Sequence, residues 1–346
     1  MAVQTFTVTE EEEGLRLDRW FKRRMPGLSL SHLNKIVRTG EVRVNGSRVK
    51  TATRLAPGQM VRVPPLQLPE SAAPARFDPE ADKRTLQDLI LFEDRQLLVL
   101  NKPFGLAVQG GSGQTRHIDG MLAALASERG ERPVLVHRLD RDTSGVLLAA
   151  KTRKIAAELG EVFRSRQARK IYWALVHGVP KPAQGRISLY LAKDGGMKQQ
   201  TAAAARGAKA GGEKEKMRVA AHGEEDARHS LTYYAVVDKA PPLLSWLSLK
   251  PVTGRTHQLR AHMEAIGHPV VGDPKYGGRP AGGDALRALP GAAERKLHLL
   301  ARRLVLPHPK GGMLDVTAPL PPHMRHAFGI FGFDITRFDP IEDAPG

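Results

Sequence analysis

The chain has 346 residues, 41% of them hydrophobic, which is enough for two domains with cores of their own. It contains no cysteine, and this excludes disulfides, thiolate metal sites and cysteine nucleophiles together. Lysine and arginine number 53 against 36 aspartate and glutamate, and the resulting +17 predicts a polyanionic partner, either nucleic acid or an anionic membrane.

The N-terminal stretch "MAVQTFTVTEEEEGLRLDRW" lacks the basic and apolar regions of a signal peptide, and its acidity argues against a transit peptide. No apolar run approaches the roughly 18 residues of a membrane helix. The expectation is a soluble, cytoplasmic chain. Leu15 to Arg54 then hold eleven cations and two acids, a net +9. Leu15, Leu17, Trp20 and Phe21 interleave with cations in "LRLDRWFKRRMPG", and the Pro-Gly break closes a short helix. Ser29 or Ser31 is positioned to cap a second helix whose buried stripe is Leu33, Ile36 and Val37, and Thr39-Gly40 ends it. In "EVRVNGSRVK", Val42, Val44 and Val49 alternate with cations about Asn-Gly, the strongest short hairpin signal. A membrane-bound amphipathic helix would show a broad continuous apolar face, which is absent, so nucleic acid is the favoured partner. The candidate contacts are Arg16, Arg19, Arg23, Lys35, Arg38, Arg43 and Arg48.

Through "RLDRWF", "SHLNKIVRTGEVRVNG" and "GQMVRVP" this segment resembles the S4 RNA-binding domain. The resemblance implies recognition of structured RNA through backbone and shape, because base edges in an A-form groove are poorly accessible.

Residues 65–85 are Pro- and Ala-rich without periodicity and read as a linker. From Leu86, short apolar runs such as "LLVLNKP", "PVLVHRL", "GVLLAAK" and "IYWALVHG" alternate with turn signals. One helix is predicted from about Lys154 to Arg166, with Ile155, Leu159, Val162 and Phe163 on its buried face. Later strands lie in "SLTYYAVVDK", "LLSWLSLKPVTG", "LLARRLVLPHP" and "MLDVTAPLP", with a helix through "THQLRAHMEAIG". Asp194 to Met217 is low in complexity and reads as a flexible insertion. Many strands with few helices define an α+β class built on a mostly antiparallel mixed sheet.

Three stretches carry more chemistry than structure requires: "VLVHRLDRDTSGVLLAAK" from Val134 to Lys151, "RKIYWALVHG", and "PVTGRTHQLRAHMEAIGHPVVGDPKYG". The first puts His137, Arg138, Asp140, Arg141 and Asp142 between two apolar runs. A hairpin turn needs Asn, Asp or Gly, not two arginines and a histidine. A zinc site fits poorly, because His257 and His262 are five residues apart and do not share a helix face. An aspartyl phosphatase of the haloacid dehalogenase kind would match Asp140 and Asp142. It fails at Ser144 and lacks the downstream acidic pair, Glu224 to Asp226 lying beside the insertion. What remains is one carboxylate among arginines. A cation such as Arg255 would keep Asp140 ionised for nucleophilic or base chemistry at a sugar or base carbon. On residue types alone, a structural buried Asp–Arg pair is equally open.

Taken together, "HRLDRDTSG", "RKIYWALV" and "TGRTHQLRAH…GHPVVGD…YG" resemble the RluA-type pseudouridine synthases, from Leu97 to about Pro321. An S4 domain ahead of this catalytic domain is similar to the family's large-subunit ribosomal enzymes. The resemblance implies a fold, a reaction and roles. Asp140 would be the essential carboxylate, Arg138 the residue that helps flip the uridine, Tyr172 the ring that stacks on the base and assists proton removal from C5, and Arg255 the cation paired with the aspartate. The family breaks the N-glycosidic bond, turns the uracil and rejoins C5 to C1′, on a base taken out of its stack. It implies no cofactor and no metal, a monomer, and RNA as partner, with large-subunit ribosomal RNA ahead of transfer RNA. A catalytically idle RNA-binding or assembly factor is the rival outside the class. The chain departs from the pattern at Gln109, at Leu259 and in the longer insertion after Lys193. The expected organisation is an S4-like domain over 1–64, a linker over 65–85, a catalytic domain over 86–330 with its insertion at 194–217, and a C-terminal tail over 331–346.

Overall fold

The computed structural model describes residues 3–25, 27–28, 30–66, 78–110, 116–127, 130–194, 216–277 and 296–344. The bulk of the 194–217 insertion and of the Pro-rich linker therefore lies outside the described residues. The chain divides into two compact units, the second beginning at Asp78.

The first unit starts with strand β1 (Gln4–Thr7) and helix α1 (Leu17–Arg24), which buries Leu17, Trp20 and Phe21 at helical spacing. Helix α2 (Leu30–Arg38) buries Leu33, Ile36 and Val37 against them. Ser31 falls inside this helix and not ahead of it, and Ser29 lies outside the described residues. Strands β2 (Arg43–Val44), β3 (Ser47–Arg48) and β4 (Met60–Val63) complete an antiparallel sheet of order β1-β4-β2-β3. Asn45 and Gly46 both adopt positive φ, 48° and 77°, as a two-residue type I′ hairpin requires. Asn45 also clamps the hairpin to β4, accepting Met60 N at 2.8 Å through its side chain.

The second unit opens with a helix where a linker was expected. Asp78 caps α3 (Pro79–Asp88) by accepting from Glu80 N and Ala81 N, and Pro79 stands at the first helical position. Asp at the cap, Pro next and acids in the first turn are helix-start chemistry. The Ala- and Pro-rich composition just upstream obscured it. Strands β5 (Ile90–Glu93) and β6 (Leu97–Lys102), the one-turn helix α4 (Ile118–Met121), and strands β7 (Val134–Leu135) and β8 (Ser144–Ala150) follow. Helix α5 (Arg153–Arg164) has the predicted apolar face and leads into β9 (Arg169–His177) and β10 (Gln184–Lys193). Then come β11 (Met217–Ala220), β12 (Arg228–Ala240), β13 (Leu244–Pro251), α6 (Gln258–Ala265), β14 (Leu299–Pro307), β15 (Met313–Thr317) and α7 (Pro322–Phe331).

The sheet runs β11-β10-β12-β13-β9-β14-β8-β6-β5, with β15 on β14 and β7 on β8. Among the described residues the β14–β8 pair is parallel and the remaining pairs are antiparallel. One sheet face carries a core centred on Trp173, Trp246 and Phe328. The other face carries two separate apolar clusters, and Tyr172 packs against both. Alternation along β9 sends Trp173 one way and Tyr172 the other.

Residues beyond 331 are not a tail. Phe333 and Ile341 join the main core, and Asp339 accepts Trp173 Nε1 at 3.0 Å and Ser248 Oγ at 2.7 Å. Glu342 meets Arg303 and Arg169. The short Asp- and Pro-punctuated segment has no periodicity to announce this docking; the two partners of Asp339 lie 166 and 91 residues away along the chain. Among the described residues no helix is long and apolar enough to cross a membrane.

Candidate active site

Asp140 stands in the turn that feeds β8. Thr143 N donates to Asp140 O at 3.1 Å, and the turn is pinned from below by Lys102 at the end of β6. Lys102 is fully buried and donates to Pro103 O, Leu106 O and Arg141 O at 2.9, 2.8 and 2.7 Å. Burial pushes its amine down to about 7, against the pull of Asp142 and Asp140. Three carbonyls taking three N–H bonds fit the charged ammonium. The Thr-Ser-Gly sequence has a packing reason as well. Gly145 has φ +108°, and a Cβ there would lie 2.2 Å from Ala301 O, so β8 could not approach β14 with any other residue. His137 is structural: its Nε2 accepts Leu148 N at 3.0 Å and its ring stacks on Phe163. Burial lowers its pKa to about 4, so it is neutral.

The segment between β13 and α6 forms the facing wall. Gln258, buried, holds it: its Oε1 accepts from Thr253 Oγ1 and Arg255 N, and its Nε2 donates to Leu231 O and Thr232 Oγ1. His257 stands just before the helix in the left-handed region, φ 50°. Its Nε2 lies 3.9 Å from Asp140 Oδ2, and its Nδ1 lies 3.0 Å from the Tyr276 hydroxyl. That hydroxyl already accepts Met217 N at 2.8 Å. The assignment that uses each proton once has Tyr276 donating to Nδ1, which leaves the imidazole proton on Nε2, facing the carboxylate.

The expected pairing of Arg255 with Asp140 is corrected by the structure. Arg255 Nε donates to His229 O at 3.2 Å, and among the described residues it makes no ion pair with Asp140. The cation with the strongest hold on Asp140 is Arg260, one turn into α6. Arg260 is itself fixed by a buried two-pronged pair with Asp273, 2.7 Å at both contacts. The physical reason is the bend at Thr253–His257, which turns Arg255 toward β12 while the helix carries Arg260 inward. Burial pushes the Asp140 carboxyl up, and Arg260, Arg138, Lys275 and Lys102 oppose it.

Asp140, Tyr172, Arg138, Arg255, His257 and Arg260 line one cavity of about 630 Å³, a size that suits a nucleoside with its flanking atoms. The Asp140 side chain is 21% exposed there. Burial, and secondarily the Asp140 charge, raise the Tyr172 pKa, which keeps its phenol protonated and favours a neutral stacking ring over a phenolate base. Arg138 is exposed at the rim. The sequence reading missed Lys102, Arg260, Tyr276 and the orienting role of His257. Lys102 lies in "LLVLNKP" and the others in "PVTGRTHQLRAHMEAIGHPVVGDPKYG", but their roles depend on contacts between segments. Among the described residues no group of His, Cys, Asp and Glu is arranged to hold a metal ion.

In the first unit, Arg19, Arg23, Lys35, Arg38 and Arg48 are exposed. Arg23 lies 3.7 Å from Glu11. Two of the seven candidate contacts are engaged locally: Arg16 bonds Asp18 through two nitrogens, and Arg43 braces the hairpin at Gly40 O and Gly46 O.

The chain has matches among known families. The RNA pseudouridylate synthase model matches residues 96–265, and the S4 domain model matches residues 15–61. "Ribosomal large subunit pseudouridine synthase C" of Vibrio vulnificus is 37% identical over 92% of this chain and 93% of its own. The protein of the same name from Escherichia coli K12 is 36% identical over 92% and 93%. Among solved structures, "Human RNA Pseudouridylate Synthase Domain Containing 4" covers 75% of this chain and 98% of its own at 27% identity and TM-score 0.59. The chain belongs to the RNA pseudouridylate synthase family and is an RNA pseudouridine synthase with an S4 domain ahead of the catalytic unit.

Proposed function

We propose that this enzyme converts specific uridines of large-subunit ribosomal RNA to pseudouridine, with Asp140 as the catalytic carboxylate. The observation that carries the site assignment is the setting of Asp140: partly exposed in a nucleoside-sized cavity, held against cations, with His257 and Tyr172 beside it. The near full-length likeness to enzymes named for the large ribosomal subunit supports the target.

In the reaction the N1–C1′ bond breaks, the uracil turns, and C5 bonds to C1′. C5 gives up its proton and N1 gains one, so the isomerisation balances without a co-reactant. Asp140 acts at the sugar or base carbon, Tyr172 stacks on the uracil, and Arg138 at the rim enters the gap left by the flipped nucleotide. Arg260 keeps Asp140 ionised despite its burial, and His257 presents an N–H toward it. The exposed cations of the first unit bind RNA phosphates, and the reaction belongs in the cytoplasm, where ribosomal RNA is the abundant polyanion.

The test is pseudouridine mapping on ribosomal and transfer RNA from cells carrying the wild-type gene, no gene, or Asp140→Asn. Large-subunit sites lost in both altered strains, with RNA affinity of the variant within a few-fold, support the reading. Losses confined to transfer RNA would move the target. No loss would make the chain an idle RNA-binding factor.

A further inference from the structure

The cavity over Asp140 has another wall, which plays no part in the chemistry above. Past Tyr172 it is lined by Arg164, Arg166 and Lys170. Arg164 is paired with Glu161 on its own helix, 2.6 Å away in an exposed contact. Among the described residues, Arg166 and Lys170 have no carboxylate at ion-pairing distance. Lys170 precedes Tyr172 by two residues on β9, so the two side chains leave the same strand face about 7 Å apart.

Arg166 is the more informative of the two. Gln167 N bonds Val162 O at 3.1 Å and Arg166 N bonds Phe163 O at 3.4 Å, the paired bonds of a Schellman helix ending. That ending needs one left-handed residue, ordinarily glycine. Here an arginine is held at φ 63°. Complementing the helix dipole does not explain it, since Arg164 already does that from within the last turn, without the unfavourable backbone. A charged residue kept at a position where glycine is preferred, on the cavity wall and with no carboxylate at ion-pairing distance among the described residues, is placed for a ligand.

The geometry points to a phosphate site: Arg166 and Lys170 grip the RNA backbone phosphate adjoining the target nucleotide while Tyr172 and Asp140 hold its base and sugar. The inference rests on the reading of the Asp140 cavity as the uridine site. An arginine fork matches a phosphate bidentately and a lysine adds a point charge. A nucleotide drawn out of its stack brings its neighbouring phosphate with it, and gripping that phosphate fixes which nucleotide enters.

The full-length enzyme is assayed on large-subunit ribosomal RNA and on transfer RNA, and variants are then compared on the RNA that the wild type turns over. A wrong target class thus appears as absent wild-type turnover on ribosomal RNA, separate from any variant effect. Turnover on neither RNA removes the phosphate site together with the reading it rests on. Arg166→Gly relieves the backbone, so its melting temperature should hold or rise. KM and Kd should increase roughly three- to tenfold, with kcat moving less, and the slope of log Kd against log salt should fall by about one. Arg166→Lys keeps the charge and should recover most of the affinity. An Arg166→Gly enzyme with unchanged KM and salt slope overturns the proposal. So does an Arg166→Lys enzyme as impaired as the glycine variant, because the charge would then not be what matters.

Discussion

Arg260→Met should be among the most damaging single changes in the catalytic unit, for reasons that can be worked out contact by contact. Arg260 and Asp273 are 2% and 0% exposed at their side chains and share two bonds of 2.7 Å. Asp273 Oδ1 also accepts Lys275 N at 2.8 Å and Tyr276 N at 3.0 Å. Removing the guanidinium leaves a buried carboxylate that, among the described residues, keeps these two amide donors but loses its bidentate cation. An orphaned buried charge of this kind costs about 3–5 kcal/mol. Adding Asp273→Asn removes the charge while its Oδ1 can still take both amides, and should recover about 1–3 kcal/mol. The assay is urea unfolding followed by tryptophan fluorescence in a Trp20→Phe background, so that Trp173 and Trp246 report the catalytic unit alone. The same variant has a kinetic signature. Arg260 lowers the Asp140 pKa, so its loss should move the acid limb of kcat/KM to higher pH. A stability loss below about 1 kcal/mol would mean the pair is not energetically buried. An acid limb that stays put would refute Arg260 as the cation governing Asp140.

Tyr276→Phe removes the hydroxyl that accepts Met217 N and meets His257 Nδ1. It should cost about 1–3 kcal/mol for the orphaned amide and lower kcat more than it raises KM; an unchanged kcat would mean that the His257 proton is immaterial. The wild-type pH profile tests Asp140 directly. Its pKa is raised by burial, so activity should fail as pH falls, at a midpoint above the usual aspartate value of 3.8; a midpoint below it would contradict the burial argument. Glu12, bonded to Arg24, has its pKa lowered from 4.5 to about 2. The stability it gives the first unit should therefore be complete above pH 4.5 and be lost as pH falls toward about 2, read from Trp20 fluorescence with and without Glu12→Gln. Replacing exposed Arg19, Lys35 and Arg38 by glutamine should weaken RNA binding and lower its salt slope by about two to three; an unchanged slope would remove these residues from the interface.

Local chemistry settled a good part of the molecule before any tertiary contact formed. Asn45-Gly46 dictates its hairpin because few other dipeptides tolerate two positive φ values. The spacing of Ile155, Leu159, Val162 and Phe163 defines α5, and the density of charge around Asp140 marks it as a site. The start of α3 was equally local, written in Asp78-Pro79 and the acids after it, though hidden by the composition upstream. Other features could not be read from neighbouring residues. Which arginine serves Asp140 depends on a bend whose shape is fixed by Gln258 bonding to β12, some 26 residues earlier. Lys102 looks like a surface cation at a strand end until three carbonyls from two loops surround it. The last residues read as a tail until Asp339 reaches Trp173. Backbone preference and periodicity act over a few residues and are encoded locally. The direction a charged side chain takes is decided by whichever distant acceptors the packed sheet brings within bonding range.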